Sequence, residues 1–252
     1  MLIGEYQVEI LGIDVGGSGI KGAPVDITNG SLTAERFRLK TPKGAETDPV
    51  AGVITEIVRH FNWQGPVGIG FPAPIKHGIV KLAANISPAW VGLNADDFLT
   101  KATGCDVTVG NDADVAGLAE MTFGAGQGQM GTVILVTLGT GIGSAIFHGG
   151  KLIPNTEFGH LEIDGQDAES KASDAARQRE DLPWKKYAKR LNRYLLQMEK
   201  LFWPELFIIG GGISKESANY IPLLTVEAPV VPASFLNEAG IVGASLSASQ
   251  AG

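Results

Sequence analysis

The sequence predicts an α/β protein of two related lobes, and three observations carry that expectation. An apolar run that breaks into glycines, Ile10-Leu11-Gly12-Ile13-Asp14-Val15-Gly16-Gly17-Ser18-Gly19-Ile20-Lys21, is echoed by Thr137-Leu138-Gly139-Thr140-Gly141-Ile142, which puts one such hairpin in each half of the chain. Strand-like and helix-like stretches alternate around both. At 252 residues and 44% hydrophobic, the chain is long for one compact domain and short for three. A duplicated lobe with a cleft between the copies is the architecture these features predict, the first lobe over residues 1–112 completed by a C-terminal helix at 237–252, the second over 113–236.

The first hairpin has the chemistry of a phosphate cradle. Successive glycines let backbone N–H groups turn toward one anion, Lys21 adds a point charge, and Asp14 at the strand end is suited to holding Mg²⁺ through water. The P-loop spacing is absent, and the dinucleotide fingerprint, GxGxxG opening a helix, is not met. Gly22-Ala23-Pro24-Val25-Asp26 follows and suits a second strand better than a helix, so an ordinary structural hairpin fits this stretch taken alone.

Further along, Leu32 to Leu39 reads as a third strand. Asp48-Pro49 offers a cap and first-turn proline for a helix whose face is Val50, Val53, Ile54, Ile57, Val58 and Phe61. Val67-Gly68-Ile69-Gly70-Phe71 is a buried-type strand. A hairpin-like segment reaches Leu82, and a loop around Asn85 leads to a short helix over Asn94 to Thr103. Asp106 to Val109 is a strand ending in Gly110-Asn111-Asp112, just before a helix through Val115 and Leu118. Open α/β sheets place ligands at such strand ends, although Asp112 would equally serve as a helix cap.

In the second half, Glu157-Phe158-Gly159-His160-Leu161-Glu162 gathers three polar side chains, and an extended chain would put His160 and Glu162 on one face. A long helix begins near Pro183, with Trp184, Tyr187, Ala188, Leu191, Leu195, Met198 and Phe202 as its apolar stripe. Lys186, Lys189, Arg190 and Arg193 fall largely on the other side. Leu206 to Ile209 is a strand ending in Gly210-Gly211-Gly212 before another helix. These glycines suit close approach of a phosphate or flat ligand, or simply a tight turn. Val230-Val231-Pro232 is a last strand, and Asn237 to Ser249 a helix of small residues.

Composition narrows the function classes. A net charge of −7 disfavours a nucleic-acid binder, but residues 171–200 hold nine Lys and Arg against four Asp and Glu, a local +5 that leaves −12 for the remainder. That block is either a solvated face or a meeting place for a polyanion. Cys105 is the single cysteine, so neither an intrachain disulfide nor a multi-cysteine zinc site is expected, and the four histidines lack metal-ligand spacing. No apolar run is long enough to span a bilayer and no basic segment followed by an apolar core opens the chain, so a soluble cytoplasmic protein is expected.

Taken together and in order, Asp14 to Lys21, Asn111-Asp112, Leu138 to Ser144, Glu157 to His160 and Ile209 to Ser214 resemble the actin-like (ribonuclease H-like) sugar kinases, and among them the ROK family of repressors, uncharacterised frames and sugar kinases. The resemblance spans nearly the whole chain. It departs at Asp164-Gly165-Gln166-Asp167-Ala168-Glu169, where ROK kinases commonly carry a cysteine-rich zinc motif; this removes the basis for a structural zinc and for the sugar-contacting glutamate that ends that motif. The replacement, with Trp184-Lys185-Lys186-Tyr187, looks like the branch of polyphosphate glucokinases, including the glucomannokinase type. Repressor members carry an N-terminal helix-turn-helix and are disfavoured, since this chain opens directly on the phosphate strand.

The resemblance implies a kinase that phosphorylates the 6-hydroxyl of glucose, and potentially mannose, using inorganic polyphosphate, ATP or both. Asp112 would be the general base. Asn111, Glu157, His160 and Asn85 would bind the sugar, with Glu162 an addition that the family motif does not carry. Asp14 would help to hold Mg²⁺ while Gly16, Gly17, Ser18, Lys21, Thr140 and Gly141 cradle phosphate, and Gly210, Gly211 and Gly212 would border ATP. Lys186, Lys189, Arg190 and Arg193 are the candidate track for polyphosphate. Members of the family are often homodimers, and the sequence shows no dimer-specific patch. The alternatives are an ATP-only hexokinase and a non-catalytic sugar-binding protein of the same fold, with a dinucleotide oxidoreductase far behind.

Overall fold

The computed structural model describes residues 9–84 and 86–251. The chain divides into two compact units, one running up to Ala119 and resuming at Glu238, the other spanning Glu120–Asn237.

The first unit is built on a six-stranded sheet. The opening run forms β1 (Glu9–Val15) and β2 (Ile20–Asp26), an antiparallel hairpin with the glycines at its turn. The expected third strand is two short ones, β3 (Ser31–Leu32) and β4 (Phe37–Leu39), each paired with β2. The exposed stretch Thr33 to Arg36 separates them, having no apolar alternation to hold it on the sheet. Helix α1 (Thr47–His60) starts one residue before Asp48. Glu46 occupies its N-cap position without a side-chain capping bond, its carboxylate accepting instead from the Ser87 hydroxyl, so Asp48 and Pro49 lie inside the first turn rather than capping it. Val50, Ala51, Ile54, Ile57 and Val58 are its buried face. β5 (Val67–Phe71), buried throughout, runs parallel to β1; a small hairpin, β6 (Ile75–Lys76) and β7 (Ile79–Val80), follows. Helix α2 (Ala95–Thr103), capped by Asn94, leads to β8 (Val107–Asn111), parallel to β5. Helix α3 (Asp112–Phe123) then carries the chain into the second unit.

The second unit repeats the plan. β9 (Val133–Leu138) and β10 (Ile142–His148) form an antiparallel hairpin extended by β11 (Lys151–Ile153). A two-stranded ribbon, β12 (Glu162–Ile163) with β13 (Gln166–Asp167), precedes the short helices α4 (Glu169–Ala172) and α5 (Asp174–Arg179). Helix α6 (Trp184–Phe202), 19 residues and so ~28 Å long, buries Tyr187, Ala188, Leu191, Tyr194, Leu195 and Met198. β14 (Leu206–Gly210) is parallel to β9, and β15 (Val230–Pro232) to β14. The strand orders β3-β2-β1-β5-β8 and β11-β10-β9-β14-β15 are the same arrangement, a hairpin followed by two parallel strands. The echo between the glycine runs is therefore a duplicated fold. After β14 the expected helix is a 3-10 segment over Gly212–Asn219.

Helix α7 (Ala239–Ala251) belongs to the first unit and explains the glycines of β1 and β5. Gly12 and Gly68 are paired in register, and a Cβ on either would strike backbone atoms of Ile241 or Ala244. The alanines, glycines and serines of α7 let its backbone lie directly on those bare positions. One buried carboxylate escaped the sequence reading. Glu120 is fully buried, and its two oxygens accept the N–H groups of Ala125, Ser234 and Phe235, which satisfies the charge and pins two loops of the second unit. Among the described residues no helix is long and apolar enough to cross a membrane.

Candidate active site

In the first unit, the candidate residues collect at the carboxyl ends of the parallel strands. Asp14, Gly70 and Gly110 form one row across β1, β5 and β8, so Asn111 lies just beyond the row and about 10 Å from Asp14, two strand spacings away. Asp14 pairs with Lys21 across the hairpin at 3.0 Å, both side chains about one-fifth exposed. Behind the pair, the Cα of Gly240 lies so close that a Cβ there would strike the Asp14 carboxylate.

The glycine turn is held from within and from outside. The Gly16 N–H donates to the Gly19 carbonyl at 3.1 Å, the Thr41 hydroxyl to the Gly16 carbonyl at 2.5 Å, and the Arg38 guanidinium to the Ser18 carbonyl at 3.0 Å. Gly17 and Ser18 are exposed at its tip. Arg38 and Thr41 were not singled out from the sequence. The signal would have been the register of β4, which sets Arg38 opposite Lys21 on β2; reading one continuous strand from Leu32 hid it. Arg38→Met should loosen the loop and raise the KM for the phosphoryl donor roughly 5- to 10-fold, the scale of a typical net hydrogen bond of about 1 kcal/mol. Initial-rate kinetics with the donor varied measure this.

At the β8–α3 junction the capping question resolves in favour of Asn111. Its Oδ1 accepts the N–H groups of Ala113 and Asp114, at 2.9 and 3.1 Å, while Asp112 accepts only the N–H of Ala113 among these, at 2.8 Å. Asn111 is buried, so the part of it available to a ligand is its amide nitrogen. Asp112 is half-buried at the first position of the helix. A cavity of about 450 Å³ lies beside the glycine turn, lined by Gly16, Gly17, Thr41, Lys43, Phe71 and Trp90 among others. Asn85 lies outside the described residues.

In the second unit the loop after β9 repeats the first: Gly139 donates to Gly141 at 3.1 Å, and Ala175 of α5 donates to the Gly139 carbonyl at 3.0 Å. Thr140 is exposed at its tip. Gly210 ends β14 opposite Thr137, and Gly211 has φ +82°, with a Cβ there meeting the Leu138 backbone. This turn therefore requires glycine whatever ligand it borders.

Glu157 is placed by Ser144 of β10, whose hydroxyl donates to the Thr156 carbonyl at 2.7 Å and accepts the Phe158 N–H at 3.0 Å. The segment Phe158–His160 is a 3-10 turn, not extended chain, closed by the His160 N–H on the Glu157 carbonyl, and Gly159 packs on the Ile142 carbonyl where a Cβ would not fit. His160 and Glu162 consequently do not share a strand face, and Glu162 is exposed on the β12–β13 ribbon.

The residue that joins Glu157 and His160 is Glu169. Its Oε2 accepts the Ile142 N–H at 3.2 Å and sits where a Cβ on Gly141 would be. Burial raises the Glu157 carboxyl above its ordinary pKa, with His160 opposing and Glu169 reinforcing the rise. His160 is raised chiefly by its hydrogen bond to Asp167 at 3.1 Å, against its own burial and with help from Glu169, Asp167 and Glu157. The departure from the cysteine motif had removed the glutamate from consideration; the structure returns Glu169 to this cluster. His160, Asp167 and Glu169 are the one group among the described residues whose ligand atoms lie within 4.8 Å of one another; His160 and Asp167 are exposed.

Lys186, Lys189, Arg190 and Arg193 lie on one face of α6. Lys186 and Lys189 are exposed; Arg190 pairs with Glu180 at 2.6 Å, and Arg193 pairs with Asp164.

Two sheets of one plan, each opening on a glycine turn, define the fold of the actin-like sugar kinases. The ROK family matches residues 10–174, and the chain belongs to it. It is 50% identical over 236 residues to a polyphosphate glucokinase of Mycobacterium tuberculosis (strain CDC 1551 / Oshkosh), covering 93% of this chain and 89% of that one. The crystal structure of an inorganic polyphosphate/ATP-glucomannokinase from Arthrobacter sp. strain KM matches with a TM-score of 0.94 at 49% identity, over 98% of this chain and 100% of that one. A ROK family glucokinase from Streptomyces griseus, in complex with glucose and AMPPNP, matches with a TM-score of 0.83 at 26% identity, over 96% and 99%.

Proposed function

We propose that this chain is a hexokinase that transfers the terminal phosphoryl group of inorganic polyphosphate or ATP to the 6-hydroxyl of glucose, with mannose as a second acceptor. The observation that carries the chemistry is the β8–α3 junction, where Asn111 takes the capping role and Asp112 opens the helix. The choice of donor rests on the likeness to the polyphosphate glucokinase and the glucomannokinase over nearly their whole length.

In this reading Asp112 accepts the proton of the 6-hydroxyl as its oxygen forms a bond to the terminal phosphorus. The phosphorus–oxygen bond to the rest of the donor breaks, releasing ADP or a polyphosphate shorter by one unit. Phosphoryl transfer is governed by positioning and charge stabilisation, so an ordinary carboxylate suffices as base. The Asn111 amide, Glu157, His160 and Glu169 are assigned to ring hydroxyls; Asn85 and Glu162 are weaker candidates for the same role. Gly16, Gly17, Ser18, Lys21, Thr140 and Gly141 are assigned to phosphate, and Gly210, Gly211 and Gly212 to the nucleotide. Lys186, Lys189, Arg190 and Arg193 are assigned to the polyphosphate chain.

While Lys21, at 3.0 Å from Asp14, would face the donor phosphates, the Asp14 carboxylate suits Mg²⁺, which is commonly held by one or two carboxylates with the rest of its shell from water and substrate phosphates. When bound it neutralises charge on the donor phosphates. A cytoplasmic setting goes with this reading, as the compartment of ATP and hexose phosphates.

The test is a matrix of donors against sugars on purified protein, with polyphosphate assayed in nucleotide-free buffer. Formation of glucose 6-phosphate from polyphosphate is the expected result. Turnover with ATP alone would reduce the chain to an ATP hexokinase, and no sugar phosphate from either donor would leave only a sugar-binding protein.

Glu157 also predicts a pH dependence. Its carboxyl, raised by burial, takes up a proton on acidification before an ordinary glutamate does, and the protonated form accepts sugar hydroxyls less well. The glucose KM should therefore climb on the acid side of neutrality by up to about 10-fold per pH unit once that group titrates, and Glu157→Gln should flatten the profile. Stability moves the other way: a folded-state pKa above the unfolded value means that protonating Glu157 relieves a cost as pH falls through the folded pKa.

A further inference from the structure

A cavity of about 420 Å³ in the second unit is lined by Arg190 and Arg193, two of the four residues assigned to the polyphosphate chain, and by none of those assigned to the sugar or the nucleotide. The β12–β13 ribbon contributes Asp164 and Asp167, α4 contributes Lys171, and α6 contributes Arg190, Arg193 and Tyr194. We propose that this cavity is a subsite for phosphate units of inorganic polyphosphate downstream of the transfer point, with Lys171, Arg190, Arg193 and the Tyr194 hydroxyl as its donors. The proposal rests on the polyphosphate reading and gives that donor a place.

Three observations carry it. First, Tyr194 is fully buried and its hydroxyl has no hydrogen-bond partner, which is uncommon for a buried polar group. A hydroxyl left so in the wall of a cavity is a donor in search of an acceptor. Second, three cations line the same cavity, and Arg190 and Arg193 are three residues apart on α6, an axial separation of about 4.5 Å. Paired guanidiniums offer planar, forked donors that match phosphate oxygens.

Third, the charged partners of both arginines are carboxylates that a polyanion can displace, and Arg190 donates besides to the Lys171 carbonyl at 3.4 Å. Arg193 and Asp164 are each about three-fifths exposed, and Arg190 and Glu180 each about one-third. Exposed pairs of this kind contribute little and exchange readily. Asp164 and Glu180 then act as internal competitors, lowering affinity for short anions while a long chain contacting several cations overcomes them. Lys186 and Lys189, exposed on the same face of α6, continue the cationic line toward the helix start, and Lys186 to Arg193 spans about 10 Å.

Isothermal titration calorimetry of the full chain with inorganic tripolyphosphate, with orthophosphate as comparison, tests this. Tyr194→Phe should weaken tripolyphosphate binding about 5-fold through the lost donor, while its melting temperature stays level or rises because an unsatisfied hydroxyl is gone. Lys171→Met with Arg190→Met should weaken it by roughly 10-fold or more, and Glu180→Gln should tighten it about 3-fold by releasing Arg190. Wild-type affinity in both Tyr194→Phe and Glu180→Gln would overturn the proposal. A wild-type protein that makes glucose 6-phosphate only from ATP would sink the donor reading separately, without altering what the calorimetry says of this cavity.

Discussion

Asp112→Asn is expected to lower kcat for glucose by about 10²-fold or more with either donor, while the glucose KM changes far less. The substitution keeps size and leaves an oxygen able to accept the Ala113 N–H, and the helix keeps its Asn111 cap, so the start of α3 is preserved. What is lost is the capacity to take a proton. A 10²-fold fall corresponds to about 2.7 kcal/mol of transition-state stabilisation. Parallel losses with ATP and polyphosphate identify a step common to both, the activation of the sugar hydroxyl. A loss confined to one donor would move Asp112 to donor binding, and near-normal turnover would remove it as the base. Steady-state kinetics with each donor, alongside a denaturation curve for the variant, measure all of these.

The parts of this molecule legible from sequence are those written in local periodicity or in glycine. The two hairpins, the buried strand Val67–Phe71 and the amphipathic faces of α1 and α6 repeat at the spacing their structures demand, and stand where expected. What sequence reasoning missed depends on contacts across long separations. Arg38 clasps the glycine turn only because β4 breaks from β3 and sets it opposite Lys21. Glu169 is brought near Glu157 and His160 by its bond from the Ile142 N–H, 27 residues earlier in the chain. The extended geometry expected for His160 to Glu162 gave way to a 3-10 turn whose bonds, His160 N–H to the Glu157 carbonyl and Leu161 N–H to the Phe158 carbonyl, no periodicity announces. Tyr194 fits the apolar stripe of α6 by position, and nothing in the sequence marks its hydroxyl as unpartnered.

Gly68→Val should destabilise the first unit by at least about 3 kcal/mol, at or beyond the upper end of ordinary overpacking. Strand propensity alone argues the opposite sign, since valine is favoured over glycine in a strand on a scale of about 1 kcal/mol. Packing decides it. A Cβ at Gly68 would occupy the space of the Ala244 carbonyl, a backbone atom that cannot rotate away, so α7 must lift from β1 and β5 or the strand must bend. Lifting the helix exposes Ile241, Val242 and Leu246, each now buried, at a cost of roughly 1.5–3 kcal/mol for a fully exposed side chain of this size. Gly52→Ala in α1 is the control: nothing lies within 4 Å of the added methyl, and alanine should stabilise that helix by roughly 0.5–1 kcal/mol. Urea midpoints for the two variants should therefore move in opposite directions, and a Gly68→Val midpoint at or above wild type would show that α7 yields without cost. The same lift would disturb the site, because Gly240 at the start of α7 lies directly against the Asp14 carboxylate; donor KM should rise in whatever fraction of Gly68→Val still folds.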